Sequence, residues 1–79
     1  MSPTIFREDG FRFYFFSREE MRQHVHVHCA DGEAKYWLEP QIELAQNAGL
    51  SNRQLRAVQS LIKAHEHEVR AAWNKHFGG

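Results

Sequence analysis

His24-Val25-His26-Val27-His28 alternates imidazole and valine without interruption. Successive side chains of a strand point to opposite faces, so the three histidines share one face and the two valines the other. The valine face is the one a core would take. Histidines at alternate positions stand ~6–7 Å apart, close enough to bracket one ion or one phosphate. The strand is predicted from His24 to Ala30, with Asp31-Gly32 as the hairpin turn after it. A two-residue loop there sets Ala30 opposite Glu33, Cys29 opposite Ala34 and His28 opposite Lys35. Val27 then meets Tyr36, His26 meets Trp37, and Val25 meets Leu38. A three-residue loop would bring the histidines against Ala34, Tyr36 and Leu38; the shorter loop separates polar from apolar far better. The core face of this hairpin is then Val25, Val27, Cys29, Ala34, Tyr36 and Leu38.

Upstream, Thr4-Ile5-Phe6-Arg7 and Phe11 to Phe16 are β-branched and aromatic runs around Asp9-Gly10. That pair suits a type I′ turn, which needs positive φ at both positions. It aligns Glu8 with Phe11, Arg7 with Arg12, Phe6 with Phe13 and Ile5 with Tyr14. Phe6, Phe11, Phe13 and Phe15 share one face; Arg7, Arg12, Tyr14 and Phe16 share the other. Ser17 to Gln23 reads as a connection, with room for a helical turn at Arg18-Glu19-Glu20-Met21.

Downstream, Glu39-Pro40 ends the fourth strand, because proline cannot continue a ladder. Glu43 to Ala48 is predicted as a short helix, with Gly49 at its C′ position. Ser51, with Gln54 three places on, opens a capping box. Leu55, Val58, Ile62, His65, Val69, Trp73 and Phe77 then follow at spacings of three or four, the stripe of one long helix. The fold class expected is α+β: a four-stranded antiparallel β-meander with a short helix and a long C-terminal helix packed on one face, a single small domain over residues 1–79.

Such a chain buries only a little over ~60% of its unfolded surface, so the core is thin. Ten basic residues balance ten acidic ones. A net charge near zero favours self-association or a protein partner over non-specific nucleic-acid binding. One cysteine, Cys29, allows no internal disulfide and fits a reducing, cytoplasmic location. No apolar run is long enough for a membrane span, and the opening residues lack the basic stretch of a secretory signal.

The sheet face away from the helices is predicted to display Arg7, Arg12, Tyr14, His24, His26, His28, Lys35 and Trp37. Cations interleaved with flat rings suit single-stranded RNA, charge for the phosphates and rings for the bases. A histidine pair beside a lysine can also cleave RNA without metal. One imidazole takes the 2′-hydroxyl proton, the other protonates the leaving oxygen, and Lys35 or Arg12 stabilises the phosphorane. With Lys35 opposite His28, His28 is the base and His26 the acid. A solvated sheet face with ordinary cross-strand pairs would carry the same residues. The His-x-His-x-His spacing also matches alternate imidazoles converging on zinc, but Cys29 points to the other face and Asp31 and Glu33 lie at the turn, so no metal or cofactor is expected. Cys29 reads as a small core residue, His65 as a packed or hydrogen-bonded histidine, and His67 and His76 as solvated.

Several stretches together resemble a family of very short bacterial proteins of unknown function: Pro3-Thr4-Ile5-Phe6, Arg12-Phe13-Tyr14-Phe15-Phe16-Ser17, His24-Val25-His26-Val27 and Glu33-Ala34-Lys35-Tyr36-Trp37-Leu38-Glu39-Pro40. The likeness continues through Glu43-Leu44-Ala45 and Gly49 to Trp73-Asn74. Members commonly carry prolines just before the His-Val-His-Val run, where this chain has Arg22-Gln23. They are often encoded beside a second small protein, which implies the toxin of a type II toxin–antitoxin module. The expected partners are therefore a small cognate antitoxin and RNA, with self-association compatible with the balanced charge and no membrane contact. The alternative is a non-catalytic interaction module that inhibits a protein target by docking.

Overall fold

The computed structural model describes residues 4–15 and 22–77. Phe16 and the expected turn at Arg18-Met21 lie outside the described residues. Five strands, β1 (Thr4–Glu8), β2 (Phe11–Tyr14), β3 (His24–Cys29), β4 (Gly32–Trp37) and β5 (Glu43–Ala48), form one antiparallel meander in chain order. Two helices follow, α1 (Asn52–Ala64) and α2 (Glu66–Phe77). The class is α+β as expected, with one strand more and the helical layer divided differently.

The first hairpin follows its turn chemistry. Asp9 and Gly10 have φ of 53° and 84°, the pair of positive values that a type I′ turn requires. Glu8 faces Phe11, Arg7 faces Arg12 and Phe6 faces Phe13 as predicted. Beyond them the register shifts, so Tyr14 faces Thr4 and not Ile5. The second hairpin departs further. Cys29 pairs with Gly32, His28 with Glu33, Val27 with Ala34, His26 with Lys35, Val25 with Tyr36 and His24 with Trp37. The loop is therefore Ala30-Asp31, and every predicted partner is displaced by two residues. A slip of two leaves each side chain on its own face, so alternation cannot distinguish the registers. Gly32 is needed for another reason: a Cβ there would stand 2.0 Å from the Ala48 carbonyl oxygen, at the end of the β5 strand paired beside β4.

Glu43 to Ala48 is the edge strand β5, not a helix, pairing with β4 from Glu33↔Ala48 to Trp37↔Glu43 with a register shift near Ala45. Its Glu-Leu-Ala-Gln composition favours helix locally. Six residues are too few for a helix to stand alone, whereas the open edge of β4 offers a ready ladder. Asn47 then braces the turn into α1, accepting from the Leu50 amide and donating to the Leu50 carbonyl, both at 3.0 Å. The capping box holds as read: the Gln54 amide donates to Ser51 Oγ at 3.2 Å, and the Ser51 amide to Gln54 Oε1 at 2.9 Å. Gln54 Nε2 also donates to Asp31 at 2.7 Å, tying the start of α1 to the β3–β4 turn.

The single long helix is interrupted at His65, whose φ of −107° and ψ of 18° leave the helical basin. Its amide still donates to the Leu61 carbonyl at 3.0 Å and its carbonyl still accepts from Val69 at 2.9 Å, so the predicted apolar stripe continues across the break. Val58, Ile62, Val69 and Trp73 are buried with Phe11, Phe13, Phe15, Val25, Val27, Ala34, Tyr36 and Leu38, and Cys29 is packed against them. Tyr36 crosses this layer to donate its hydroxyl to the Leu55 carbonyl at 2.8 Å. At the end of β4, Arg70 of α2 donates to the Leu38 carbonyl and sits 3.6 Å from Glu39, its guanidinium steadied by Glu66 at 2.9 Å.

Candidate functional site

The register arranges the open sheet face in three cross-strand rows. Thr4, Tyr14, His26, Lys35 and Gln46 form the central one. Beside it run Arg7, Arg12, His28, Glu33 and Ala48 on one flank, and His24, Trp37 and Glu43 on the other. Alternation places these side chains together because the valines, phenylalanines and Tyr36 take the opposite face.

The central row is packed ring to cation. Tyr14 is buried and stacks on His26 with ring centroids 5.5 Å apart. The Arg12 guanidinium lies 4.6 Å from the Tyr14 centroid while its Nε donates to Thr4 Oγ1 at 2.8 Å. Lys35 Nζ stands 4.5 Å from the Trp37 ring, and Arg22 stands 4.1 Å from the same ring with its Nε donating to the Glu39 carbonyl at 2.9 Å. Two cations thus share one half-buried indole, an arrangement that holds charge at a fixed place on the face. His26, Glu33, Lys35 and Gln46 line a shallow depression of ≈ 480 Å³ toward the β5 edge of the face.

The expected site residues divide on this geometry. His26, Lys35, Arg12 and Trp37 come together partly exposed, and His28 and Arg7 are exposed beside them. His24 has 0% exposure, and Tyr14 only 5%, so neither can offer a ring to a stacking base. His24 Nδ1 lies 2.7 Å from the Arg22 carbonyl, and because a carbonyl only accepts, this nitrogen carries the proton. Its ring is enclosed by Trp73 at 5.2 Å, Trp37 at 5.8 Å and His26 at 5.1 Å. Lys35 lies opposite His26 and not His28, which faces Glu33, so the expected division into base and acid loses its ground. Among the described residues no three His, Cys, Asp or Glu side chains gather as a metal-binding group.

Sequence reasoning missed Arg22, Gln46 and Glu33 as members of the face. Gln46 was hidden by the helical reading of its segment; Glu33 belongs to this face in either register, but the predicted one set it opposite Ala30 at the turn and not beside His28. Arg22 carries a signal in retrospect, a cation two places before the first histidine of the strand.

Residues 10–74 match the family described as a domain of unknown function, DUF4160. The chain belongs to that family. The matched stretch opens at the β1–β2 turn and closes within α2, so it holds the histidine strand, both its neighbours, β5 and most of the helical layer. No curated protein and no solved structure matches the chain. Among the described residues no helix is long and apolar enough to cross a membrane.

Proposed function

We propose that this DUF4160 protein is the toxin-like component of a bacterial type II toxin–antitoxin module, acting in the cytoplasm on RNA through its open sheet face. The observation that carries the reading is the central row, where His26, Lys35 and Gln46 stand side by side over a depression, with Arg12 and His28 in the adjoining row. A phosphodiester seated there meets Lys35 and Arg12 as charge and two imidazoles ~6–7 Å apart as proton carriers. Trp37, half-buried, would take a base only by exchanging it for Arg22 or Lys35 on its ring face. A small cognate antitoxin covering this face would silence it.

The test is expression of the wild type and of His26→Ala/His28→Ala in a bacterial host, scored for growth arrest, RNA integrity and, on purified protein, fold. Arrest with fragmented RNA is expected from the wild type and neither from the folded double variant. Arrest with intact RNA would remove the nuclease chemistry. Undiminished arrest by the folded double variant would remove the histidines and favour inhibition by docking. That second reading draws on Leu44, the exposed large hydrophobic among the described residues, which lies on the edge strand β5.

A further inference from the structure

Helix α1 carries three of the chain's ten basic residues, Arg53, Arg56 and Lys63, and none of its ten acidic ones. The balanced total charge therefore conceals a segregated one. At 3.6 residues per turn the three cations and Ser60 fall within an arc of about 80°, opposite the arc of Leu55, Val58 and Ile62. Val58 and Ile62 have 0% exposure in the core, so the cationic arc is held outward, and all three basic residues are exposed. Arg53 and Lys63 are separated by ~15 Å along the axis. None of the three makes an ion pair with a described residue. The acidic groups at the helix ends are held by others, Asp31 by Gln54 and Glu66 by Arg70. Gln59 and Ser60 fill the space between Arg56 and Lys63, forming with them a shallow depression of ≈ 230 Å³.

We propose that this outer face of α1 binds the phosphate backbone of an RNA duplex, by charge and without reading bases. The choice of RNA over DNA rests on the function proposed above; the surface itself does not, since it lies on the helical side of the molecule, away from the histidine rows. A nucleic acid fits better than an acidic protein because the arc has no large apolar side chain. Protein interfaces take most of their energy from buried aromatic or aliphatic anchors, whereas phosphate contacts need only cations and hydrogen-bond donors. Arginine forks at two of the three positions suit phosphate oxygens, and a straight ~15 Å row suits a stiff duplex. The protein would then grip structured RNA with one side while its opposite face meets a single strand.

Fluorescence anisotropy with the full chain and a labelled RNA duplex of about 20 base pairs, titrated between ~50 and ~200 mM salt, tests this. Arg53→Gln/Arg56→Gln/Lys63→Gln keeps good helix formers at each position, and circular dichroism checks that the fold persists. The triple variant is expected to bind at least about tenfold more weakly at low salt and to lose about two to three from the slope of log Kd against log salt, at ~0.9 per phosphate contact. His26→Ala/His28→Ala is expected to keep both affinity and slope, which separates failure of this surface from failure of the histidine chemistry. No duplex binding by the wild type, or unchanged affinity and slope in the folded triple variant, overturns the proposal. Equal affinity for a DNA duplex of the same sequence overturns the commitment to RNA, and equal affinity for polyglutamate assigns the face to an acidic protein instead.

Discussion

His65 sits where β1, α1 and α2 meet. Its Nδ1 is 2.8 Å from Glu68 Oε1 and its Nε2 is 3.0 Å from Glu8 Oε1. Carboxylates only accept, so both contacts are satisfied together only when both ring nitrogens carry protons. The imidazolium also stacks on Phe6, centroid to centroid at 4.0 Å. Hydrogen bonds to Glu68 and then to Glu8 hold its pKa above the ordinary 6.5, against a smaller opposing effect of burial. A raised folded-state pKa stabilises the fold fully at pH values below that of the unfolded histidine, provided the carboxylates are ionised, and the stabilisation is lost as pH rises through the folded-state value. Urea midpoints of the wild type and Glu8→Gln should therefore differ most near pH 5.5–6, within about one pH unit of the free imidazole value, and converge in alkaline solution. A gap that stays constant with pH would mean that Glu8 does not reach a charged His65. The sequence marked this histidine as packed or hydrogen-bonded, but Glu8 lies 57 positions away and nothing local points to it.

Strand β5 is the element whose identity the neighbourhood changed. Its faces are mostly exposed, so no hydrophobic alternation announces a strand. Two glycines let it dock: a Cβ on Gly32 would stand 2.0 Å from the Ala48 carbonyl oxygen, and one on Gly49 would stand 2.4 Å from the Asp31 carbonyl oxygen. Both obstacles are backbone, which cannot swing aside as a side chain can. Gly32→Ala is expected to push β5 off the end of β4 and to cost about 2 kcal/mol or more, in the upper part of the usual range for overpacking. Chemical denaturation measures this, and an unchanged midpoint would place β5 farther from Gly32. Losing β5 also removes Gln46 from beside Lys35, so the same variant reports on the floor of the open-face depression.

Across the molecule, the helical layer is joined to the sheet by apolar packing in the middle and by polar contacts at its margins. Trp73 has 6% exposure and packs edge-on against Phe15 at 5.3 Å, with Phe77 at 4.2 Å and the His24 ring at 5.2 Å. It therefore supports both the phenylalanine face and the first histidine of the open face. Trp73→Ala is expected to cost ~3–5 kcal/mol, most of the reserve of a domain this small. Thermal melts and urea titration check it, and a folded variant of unchanged midpoint would contradict the packing. Arg70 and His65 act at the margins, the first against the Leu38 carbonyl and Glu39, the second against Glu8. Two charged surfaces result on opposite sides of one thin core, the histidine rows outside the sheet and the cationic arc outside α1.

Periodicity settled which face of its element each residue takes, though not how deeply it is buried, as His24 and Tyr14 show. The strict alternation of His24 to His28, the Asp9-Gly10 turn, the Ser51–Gln54 box and the stripe from Leu55 to Phe77 all describe local backbone geometry, and each side chain's face follows directly from it. Much of the open-face composition on β1 to β4 was legible for the same reason, since a slip of two residues moves no side chain through the sheet, whereas Gln46 and Arg22 were not. Nor were partners across strands. Whether Lys35 stands beside His26 or His28 depends on where the chain turns, and that is set by the contact of Gly32 with β5, a segment that is a strand only because β4 presents an unpaired edge. The burial of His24 beneath Trp37 and Trp73, and the break at His65, likewise come from residues distant in the chain, whose approach has no signature in any short stretch of sequence.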